Sequence, residues 1–338
     1  MSTIHLSAVI AAIAVFAACN NPTADRAATV VVYVSEDQVF SEPILKDFER
    51  DSGIRVRAVY DTEETKSTGV MNRLISEKAN PQADVYWANE PMRADVLKQQ
   101  GIATPYVSQN AESIASHFKD PQGYWTGFSA RARVFVINKK LGKRPSGFAD
   151  YASPAFHNQG VIANPLFGTT TAYMAAVFTN VGDDKARQLL DQMKQNKVTI
   201  STSNGESADL VATGKFAFSL VDSDDAFSGA KQGKPIDIVF PDQGADGWGC
   251  LIIPNAVLMI NKGPNPANGK RLIDYLLSKE TERKLAFSDA AQIPLHSGVE
   301  TPALVPRIEN LKTMQVSYAE VARKMQELQP YLKSWAAR

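Results

Sequence analysis

The order of the apolar segments near the start of the chain constrains the fold more than any other feature of the sequence. Residues 29–34 form a continuous β-branched, apolar run, which is typical of a strand covered on both faces. Further strands are predicted at residues 54–60 and 83–87, with a helix beginning at Ser41 and a second helix at residues 67–78. This β-α-β-α-β order needs crossover connections, so the sequence predicts a parallel sheet with helices on its faces.

The remainder of the chain repeats this alternation in a looser form. With 338 residues, 44% of them hydrophobic, the chain is long enough for two domains with full cores. The predicted fold class is therefore α/β, with two doubly wound lobes, and ligands of such sheets bind beyond the carboxyl ends of the strands, in the cleft that two facing lobes share. The later strands are predicted at residues 132–138, 160–163, 198–201, 216–221, 236–240 and 256–260, and the helices at 170–180, 184–196, 206–213, 224–233, 266–277, 280–288 and 308–328.

Composition excludes several classes of function. The 36 basic and 36 acidic residues leave no net charge to hold a polyanion, so no nucleic-acid partner is expected. The two cysteines are too few for a disulfide framework, and the four histidines fall in no metal-ligand spacing, so neither zinc chemistry nor a cofactor is expected. Cys250 is predicted to be a small buried hydrophobic residue.

The N-terminal segment has the pattern of an export signal. Residues 1–18 contain no Asp, Glu, Lys or Arg, and residues 10–18 are all apolar, a run too short to span a membrane. The small residues before Cys19 resemble a bacterial lipobox, which predicts a cleaved signal at 1–18, a lipid anchor on Cys19 and a linker over 19–28. The alternative is an ordinary cleaved signal with an incidental cysteine. Both alternatives predict an exported, periplasmic protein.

Polar side chains follow each of the first three predicted strands. Ser35 and Glu36 follow the first strand, Thr65 the second, and Asn89 and Glu90 the third. Because the carboxyl ends of parallel strands meet at one edge of a sheet, these five residues are candidates for ligand contact. Capping of the helices that follow is an equally good interpretation of each one.

Two segments of the second half are candidates for binding an anion. A glycine and three hydroxyls stand at the start of a predicted helix, where free backbone amides could cradle a carboxylate, phosphonate or phosphate. In a second segment, two arginines stand two residues apart, so that both point to one side of an extended strand, and either could clamp an anion or form a structural ion pair. These candidates are Gly168, Thr169, Thr170 and Thr171, together with Ser129, Arg131 and Arg133.

Three carboxylates lie within four residues after the predicted strand 216–221. Asp222, Asp224 and Asp225 would repel one another unless a bound metal, an ammonium group or an arginine sits among them. The alternative is a helix start, which accounts for two of the acids.

Several motifs together resemble the ferric-iron-type periplasmic substrate-binding proteins of ABC importers. They are residues 31–35, 83–87, 120–127, 130–134, 220–222 and 272–278. The resemblance implies two hinged lobes of the type II periplasmic binding protein fold, closing over a solute that is passed to permease subunits. It places lobe 1 at residues 29–128 plus 254–304 and lobe 2 at 129–253 plus 305–338. A monomer is expected.

The resemblance departs at the residues that would bind iron. The ferric binders carry adjacent tyrosines at the two positions that read Asp224 and Asp225 here. Carboxylates suit harder divalent cations or an ammonium group. Together with the oxyanion cradle at Thr169–Thr171, this acidic cluster favours a small zwitterion with separated charges, such as an aminoalkylphosphonate. The alternative ligand is a ferric or other metal ion held by Asp222, Asp224 and Asp225.

Two other classes of protein compete with a binding protein. An exported hydrolase would need a nucleophile elbow or a histidine placed as base, and neither is present in the sequence, so no enzyme is expected. An adhesion or scaffold protein would need no polar clusters at the strand ends.

Overall fold

The computed structural model describes residues 29–61, 69–140 and 142–337. The predictions for residues 1–18 and 19–28, including Cys19, and the candidate Thr65 lie outside these ranges. Within them the chain forms ten strands and ten α-helices that alternate along most of its length, which confirms the α/β class. None of the helices in these ranges combines the length and the hydropathy that a membrane span requires.

The strands are β1 (Thr29–Val34), β2 (Arg55–Tyr60), β3 (Val85–Ala88), β4 (Ala103–Thr104), β5 (Thr126–Asn138), β6 (Gly160–Ala163), β7 (Thr199–Ser201), β8 (Phe218–Asp222), β9 (Ile236–Val239) and β10 (Ile252–Ile260). The helices are α1 (Gln38–Ser52), α2 (Gly69–Ser76), α3 (Pro91–Gln99), α4 (Gly168–Val181), α5 (Asp183–Gln195), α6 (Asn204–Ala212), α7 (Ser223–Lys231), α8 (Pro266–Leu276), α9 (Lys279–Phe287) and α10 (Tyr318–Ala336).

The sheet has two parts that share one long strand. Its order is β2-β1-β3-β10-β5-β8-β6-β7, with β4 paired to β10 and β9 paired to β5. In the first part β1 pairs parallel with β2 and β3, as the sequence predicts, and β10 runs antiparallel between β3 and β5. In the second part β6 pairs parallel with β7 and β8. We call the first part with its helices the first lobe and the second part with its helices the second lobe.

Strand β5 passes from one lobe to the other. Residues 126–132 pair with β10, and residues 133–137 pair with β8. The sequence predicts this strand only from residue 132, because Thr126, Gly127 and Ser129 break the apolar run. For the same reason β10 is longer than predicted, since Pro254 and Asn255 lie within it.

A β-bulge interrupts β5 where it leaves the first lobe. Phe128 pairs with Asn255 and Ala130 pairs with Pro254, so Ser129 is the extra residue. Its φ of 39° lies in the left-handed region, which is strained for a residue with a side chain.

Side chains replace the ladder bonds that the bulge removes. The Glu282 carboxylate accepts a bond from the Ser129 N–H at 2.7 Å, and Asn255 Nδ2 donates to the Ser129 carbonyl at 2.6 Å. Both backbone groups of this buried residue are therefore satisfied.

Two helices of the first lobe differ from the prediction. Helix α1 begins at Gln38 rather than Ser41, whose hydroxyl donates to the carbonyl of Asp37 inside the first turn. Helix α3 is not predicted, because its apolar residues form no stripe.

The predicted helix 308–328 is wrong in its first half. A short 3-10 helix at Ile308–Asn310 is followed by an extended segment that runs beside Cys250, and α10 begins only after Ser317. The Ser317 hydroxyl caps α10 by accepting a bond from the N–H of Glu320.

The last helix joins the two lobes. Helix α10 packs on α4 of the second lobe and also contacts α3 of the first lobe. Its Trp335 indole donates to the carbonyl of Leu190 at 3.0 Å, and Tyr318 donates to the carbonyl of Ile252 at 2.7 Å. Cys250 is fully buried, which confirms its predicted place in the core.

Candidate ligand-binding site

Arg133 and Asp222 form a buried ion pair in the second lobe, at the carboxyl end of strand β8. Strands β5 and β8 run antiparallel with these two residues opposite each other. Arg133 Nη1 lies 2.8 Å from Asp222 Oδ1, and the arginine side chain is fully buried. Thr169, at the start of α4, donates to Asp222 Oδ2 at 2.8 Å. The first acid after β8 and the turn at Thr169 therefore lie side by side.

The guanidinium of Arg133 donates hydrogen bonds to several groups of the protein. Besides Asp222, its Nη1 donates to Thr169 Oγ1 at 2.9 Å and to Asn204 Oδ1 at 3.2 Å. Its Nη2 donates to the carbonyl of Leu220 at 3.0 Å. Of the two alternatives for this arginine, an anion clamp or a structural ion pair, the geometry therefore favours the ion pair.

Arg131 is placed differently, although it lies only two residues away. Its side chain is partly exposed, and its Nη2 donates to the carbonyl of Asn89 in the first lobe. Its Nε has no hydrogen-bond partner among the described residues. Burial lowers the pKa of this guanidinium, but the nearby carboxylates outweigh burial and raise its pKa above the ordinary value. They are Asp222, Asp224, Glu36 and Glu90.

The three acids after β8 form one cluster. Carboxylate oxygens of Asp222, Asp224 and Asp225 lie within 4.8 Å of one another. Burial would raise the pKa of Asp222, but the guanidinium groups of Arg133 and Arg131 hold it below its ordinary value. Burial raises the pKa of Asp224, and burial together with the charges of Asp224 and Asp222 raises the pKa of Asp225 to about 7.

The helix-start alternative accounts for the positions of Asp224 and Asp225, which both lie in the first turn of α7, but not for the contacts of the Asp222 side chain. Asp222 is the N-cap residue of α7, but its side chain makes no cap bond and turns to Arg133 and Thr169 instead. Asp224 accepts one bond from the backbone N–H of Asp225 at 3.1 Å.

The predicted cradle at the start of α4 is smaller than the sequence suggests. The hydroxyl of Thr169 donates to Asp222, and that of Thr171 donates to the carbonyl of Pro165 at 2.8 Å, so neither offers a free donor.

The other two residues of the cradle differ from each other. Thr170 is buried, and its hydroxyl oxygen lies 3.4 Å from Arg133 Nη2. Gly168 is exposed, has a φ of 57° and has open space where a side chain would stand. The amide of Thr171 donates to the carbonyl of Phe167, so the donors that remain in the cradle are the backbone amides before it in the first turn of α4.

Ser35 and Glu36 lie at the carboxyl end of β1 and are both buried. The Ser35 hydroxyl lies 2.8 Å from the Tyr86 hydroxyl and donates to Asp61 at 3.1 Å. Glu36 accepts a bond from Gln292 at 2.9 Å. Neither side chain caps helix α1, whose N-cap residue is Asp37.

Asn89 and Glu90 lie after β3, near Arg131 of the shared strand β5. The Asn89 carbonyl is the acceptor of the bond from Arg131, and Glu90 precedes α3 without capping it. Glu90 pairs with Arg93 at 2.8 Å. Ser129 lies in the bulge, and its buried hydroxyl has no hydrogen-bond partner among the described residues.

Sequence reasoning missed Asn204, the first residue of α6. Its Nδ2 donates to Thr169 Oγ1 at 3.2 Å and to Asp222 Oδ2 at 3.3 Å. The signal was available, since Asn204 follows the carboxyl end of the parallel strand β7 and comes directly after the N-cap Ser203.

Two α/β lobes that share a strand, with polar residues gathered at their strand ends, define a protein that binds a solute between lobes. The family model described as bacterial extracellular solute-binding protein matches residues 80–324, and the chain belongs to this family.

Known relatives agree with this assignment. A Salmonella typhimurium protein named "Putative 2-aminoethylphosphonate-binding periplasmic protein" is 26% identical over 284 residues, which cover 81% of each chain. The major ferric iron-binding protein of Neisseria meningitidis is 21% identical over 322 residues, 92% of this chain and 94% of the relative. The apo ferric ion-binding protein A of Pasteurella haemolytica superposes with a TM-score of 0.78 at 24% identity, over 91% of this chain and 98% of that one. The fold is therefore the two-lobed type II periplasmic binding protein fold.

Proposed function

We propose that this protein is the periplasmic solute-binding component of an ABC importer and that it captures a small zwitterion, such as an aminoalkylphosphonate. The observation that carries this proposal is the imbalance of charge around Arg131. Two of the guanidinium groups there are already paired, Arg133 with Asp222 and Arg93 with Glu90. The excess of carboxyl groups favours a ligand that brings a cationic group. Asp224 and Asp225, beside Asp222 in the cluster of acids, form no ion pair with the described residues.

The anionic end of such a ligand has its own donors. Of these three arginines, Arg131 makes no carboxylate ion pair with the described residues, and its buried Nε, like that of Arg133, has no hydrogen-bond partner among them. The first-turn amides of α4 lie beside Thr169, on the second lobe. A guanidinium fork and a helix N-terminus are both donor sets that suit a phosphonate or carboxylate.

The cationic end would meet Asp224 and Asp225. Asp222 is occupied by Arg133 and Thr169, so these two are the acids of the cluster that remain for a ligand. Burial is the main cause of the raised pKa of both carboxyl groups, and the charge of Asp222 adds to it for Asp224, as do those of Asp224 and Asp222 for Asp225; a nearby ammonium group would offset these negative charges. The name of the Salmonella relative, which records 2-aminoethylphosphonate, supports the same ligand class.

Calorimetric titration with matched ligands tests the proposal. We expect 2-aminoethylphosphonate to bind one to one, and ethylphosphonate and ethanolamine, which each lack one charged group, to bind at least about tenfold more weakly. The double variant D224N/D225N should lose about tenfold or more in affinity for the zwitterion, about 1.4 kcal/mol. Its control is D183N/D184N, which removes another adjacent acid pair from the first turn of a helix, α5. Equal affinity of D224N/D225N and the control would remove Asp224 and Asp225 from the site.

The second candidate ligand is a metal ion. The three carboxylates within 4.8 Å of one another offer oxygen ligands of the kind that hard cations prefer. Titration with ferric citrate and with divalent cations, in the absence and presence of 2-aminoethylphosphonate, separates the two candidates. Metal binding that D222N/D224N abolishes, with no binding of the aminophosphonate, would favour the metal.

We further propose that the protein acts as a monomer, is not an enzyme and is anchored to the membrane through a lipid on Cys19. Mass spectrometry of the mature N-terminus tests the anchor. We expect a diacylglyceryl modification of Cys19, and release of the C19A variant from the membrane fraction. A mature protein that begins at a residue other than Cys19 and carries no lipid would contradict the anchor and favour the ordinary cleaved signal.

A further inference from the structure

A chain of buried hydrogen bonds runs from the core of the first lobe to Glu36. The indole Nε1 of Trp87 donates to Asn255 Oδ1 at 3.1 Å. Asn255 Nδ2 donates to the Ser129 carbonyl at 2.6 Å and to Gln292 Oε1 at 3.0 Å. Gln292 Nε2 then donates to Glu36 Oε1 at 2.9 Å. Asn255 and Gln292 are each 1% exposed, so bulk water does not supply alternative partners to their amides.

The chemistry of the two ends fixes the orientation of both amides. An indole N–H can only donate, so the atom of Asn255 that faces it must be the oxygen. Asn255 therefore presents its NH₂ to the Ser129 carbonyl, which can only accept, and to Gln292. Gln292 must then receive this bond with its oxygen and present its own NH₂ to the carboxylate of Glu36.

This chain connects two parts of the candidate site. Glu36 lies at the carboxyl end of β1, and its charge acts on Arg131. Ser129 is the bulge residue of β5, two positions before Arg131. Asn255 and Gln292 therefore bind, in one network, the first lobe's carboxylate and the strand that carries the guanidinium.

We propose that Gln292 and Asn255 are positioning residues for ligand capture, which hold the Glu36 carboxylate at a fixed place relative to the bulge of β5, two residues before Arg131. The proposal rests on the proposed function, because it assigns Glu36 and Arg131 to the wall of the ligand cleft. The neutral amide of Gln292 suits this place because it accepts from Asn255 and donates to a carboxylate at once.

The variant Q292E tests this role with little change of shape. The introduced carboxyl group can still accept from Asn255, but once ionised it has no hydrogen to give Glu36. Two ionised carboxylates in this buried place repel each other, so they either move apart or share one proton, and in both cases the Glu36 charge is no longer held as in the wild type. We expect affinity for 2-aminoethylphosphonate to fall about tenfold or more near pH 7.5. The control Q232E makes the same change at an exposed position directly after α7.

The exchange variant E36Q/Q292E separates positioning from stability. The new amide at position 36 can donate to the new carboxylate at position 292, which still accepts from Asn255. The hydrogen-bond chain is thereby rebuilt while the charge leaves position 36. We expect urea unfolding like that of the wild type, together with an affinity that stays low. Full recovery of affinity in the exchange variant would overturn the proposal, and so would wild-type affinity in Q292E.

A measurement without ligand distinguishes this proposal from the proposed function. If the wild-type protein binds no aminophosphonate, the proposed ligand is wrong, but the position of Glu36 can still be observed through its carboxyl ¹³C resonance. We expect that resonance to move in Q292E and to stay unchanged in Q232E. An unmoved resonance in Q292E would overturn the positioning role whatever the ligand is.

Discussion

Replacing Arg133 with methionine should destabilise the protein far more than the same replacement of Arg131. Arg133 is fully buried, and its guanidinium makes the ion pair at 2.8 Å to Asp222 and three further hydrogen bonds of 3.2 Å or less. Removing it leaves a buried carboxylate whose remaining donors, among the described residues, are Thr169 and Asn204. Breaking a buried pair in this way costs about 3–5 kcal/mol of unfolding free energy.

Arg131 provides the matched control on the same strand. Arg131 is partly exposed as a residue, and its guanidinium donates to the carbonyl of Asn89. R131M should therefore cost about 1 kcal/mol in unfolding free energy. Its ligand affinity, in contrast, should fall, because Arg131 is the guanidinium proposed to meet the anionic group.

Urea unfolding followed by tryptophan fluorescence measures these differences near pH 7.5. The double variant R133M/D222N removes both charges and should regain about 2 kcal/mol relative to R133M, because no carboxylate is then left unpaired. Two results would refute the reasoning: a cost below about 1 kcal/mol for R133M, or strict additivity of R133M and D222N.

Three further predictions concern the hinge and the core. The ring nitrogens of buried His296 each lie 2.7 Å from an acceptor, one from the Glu282 carboxylate and the other from the Asn110 carbonyl. Burial lowers the pKa of His296, but the hydrogen bond and the negative charge of Glu282 outweigh burial and raise this pKa above its ordinary value. This stabilisation is complete below the unfolded pKa of about 6.5 and is lost as the pH rises through the higher folded value. Urea titrations should therefore show that the unfolding free energy of the wild type falls as the pH rises through this range. The variant H296Q should lack this fall, and H157Q, changed at an exposed position, should retain it. Burial raises the pKa of the Cys250 thiol to about 12, so iodoacetamide should leave it unmodified near pH 8 until the protein is unfolded. Small-angle scattering should show a smaller radius of gyration with saturating 2-aminoethylphosphonate, and an unchanged radius would contradict hinge closure.

The start of the first lobe could be predicted because β1 and β3 are apolar segments that alternate with segments of helical pattern. Residues 29–34 have the β-branched composition of a strand buried on both faces, and the polar residues after β1 and β3 lie at one sheet edge as expected. The neighbourhood of Thr169 and Asp222 followed from the same rule, because β6 and β8 are parallel neighbours.

The different roles of the two arginines could not be predicted. Both point to the same side of an extended strand, and the distinction depends on Asp222, which lies 89 residues further along the chain than Arg133. The hydrogen-bond chain through Gln292 was hidden for a similar reason, since Gln292 and Glu36 are 256 residues apart. The first half of β5 was missed because Thr126, Gly127 and the bulge residue Ser129 interrupt the apolar pattern that predicts a strand.

The bulge at Ser129 also sets the phase of the strand that follows it. Side chains of a strand alternate between its two faces, and one extra residue reverses that alternation for everything beyond it. Without Ser129, a strand registered on the first lobe would carry Arg131 and Arg133 on the opposite face from Asp222. Deleting this single residue would therefore act like replacing all of residues 130–138 at once. Each side chain of this segment would move to the opposite face of the sheet, so that charged and apolar side chains would change places.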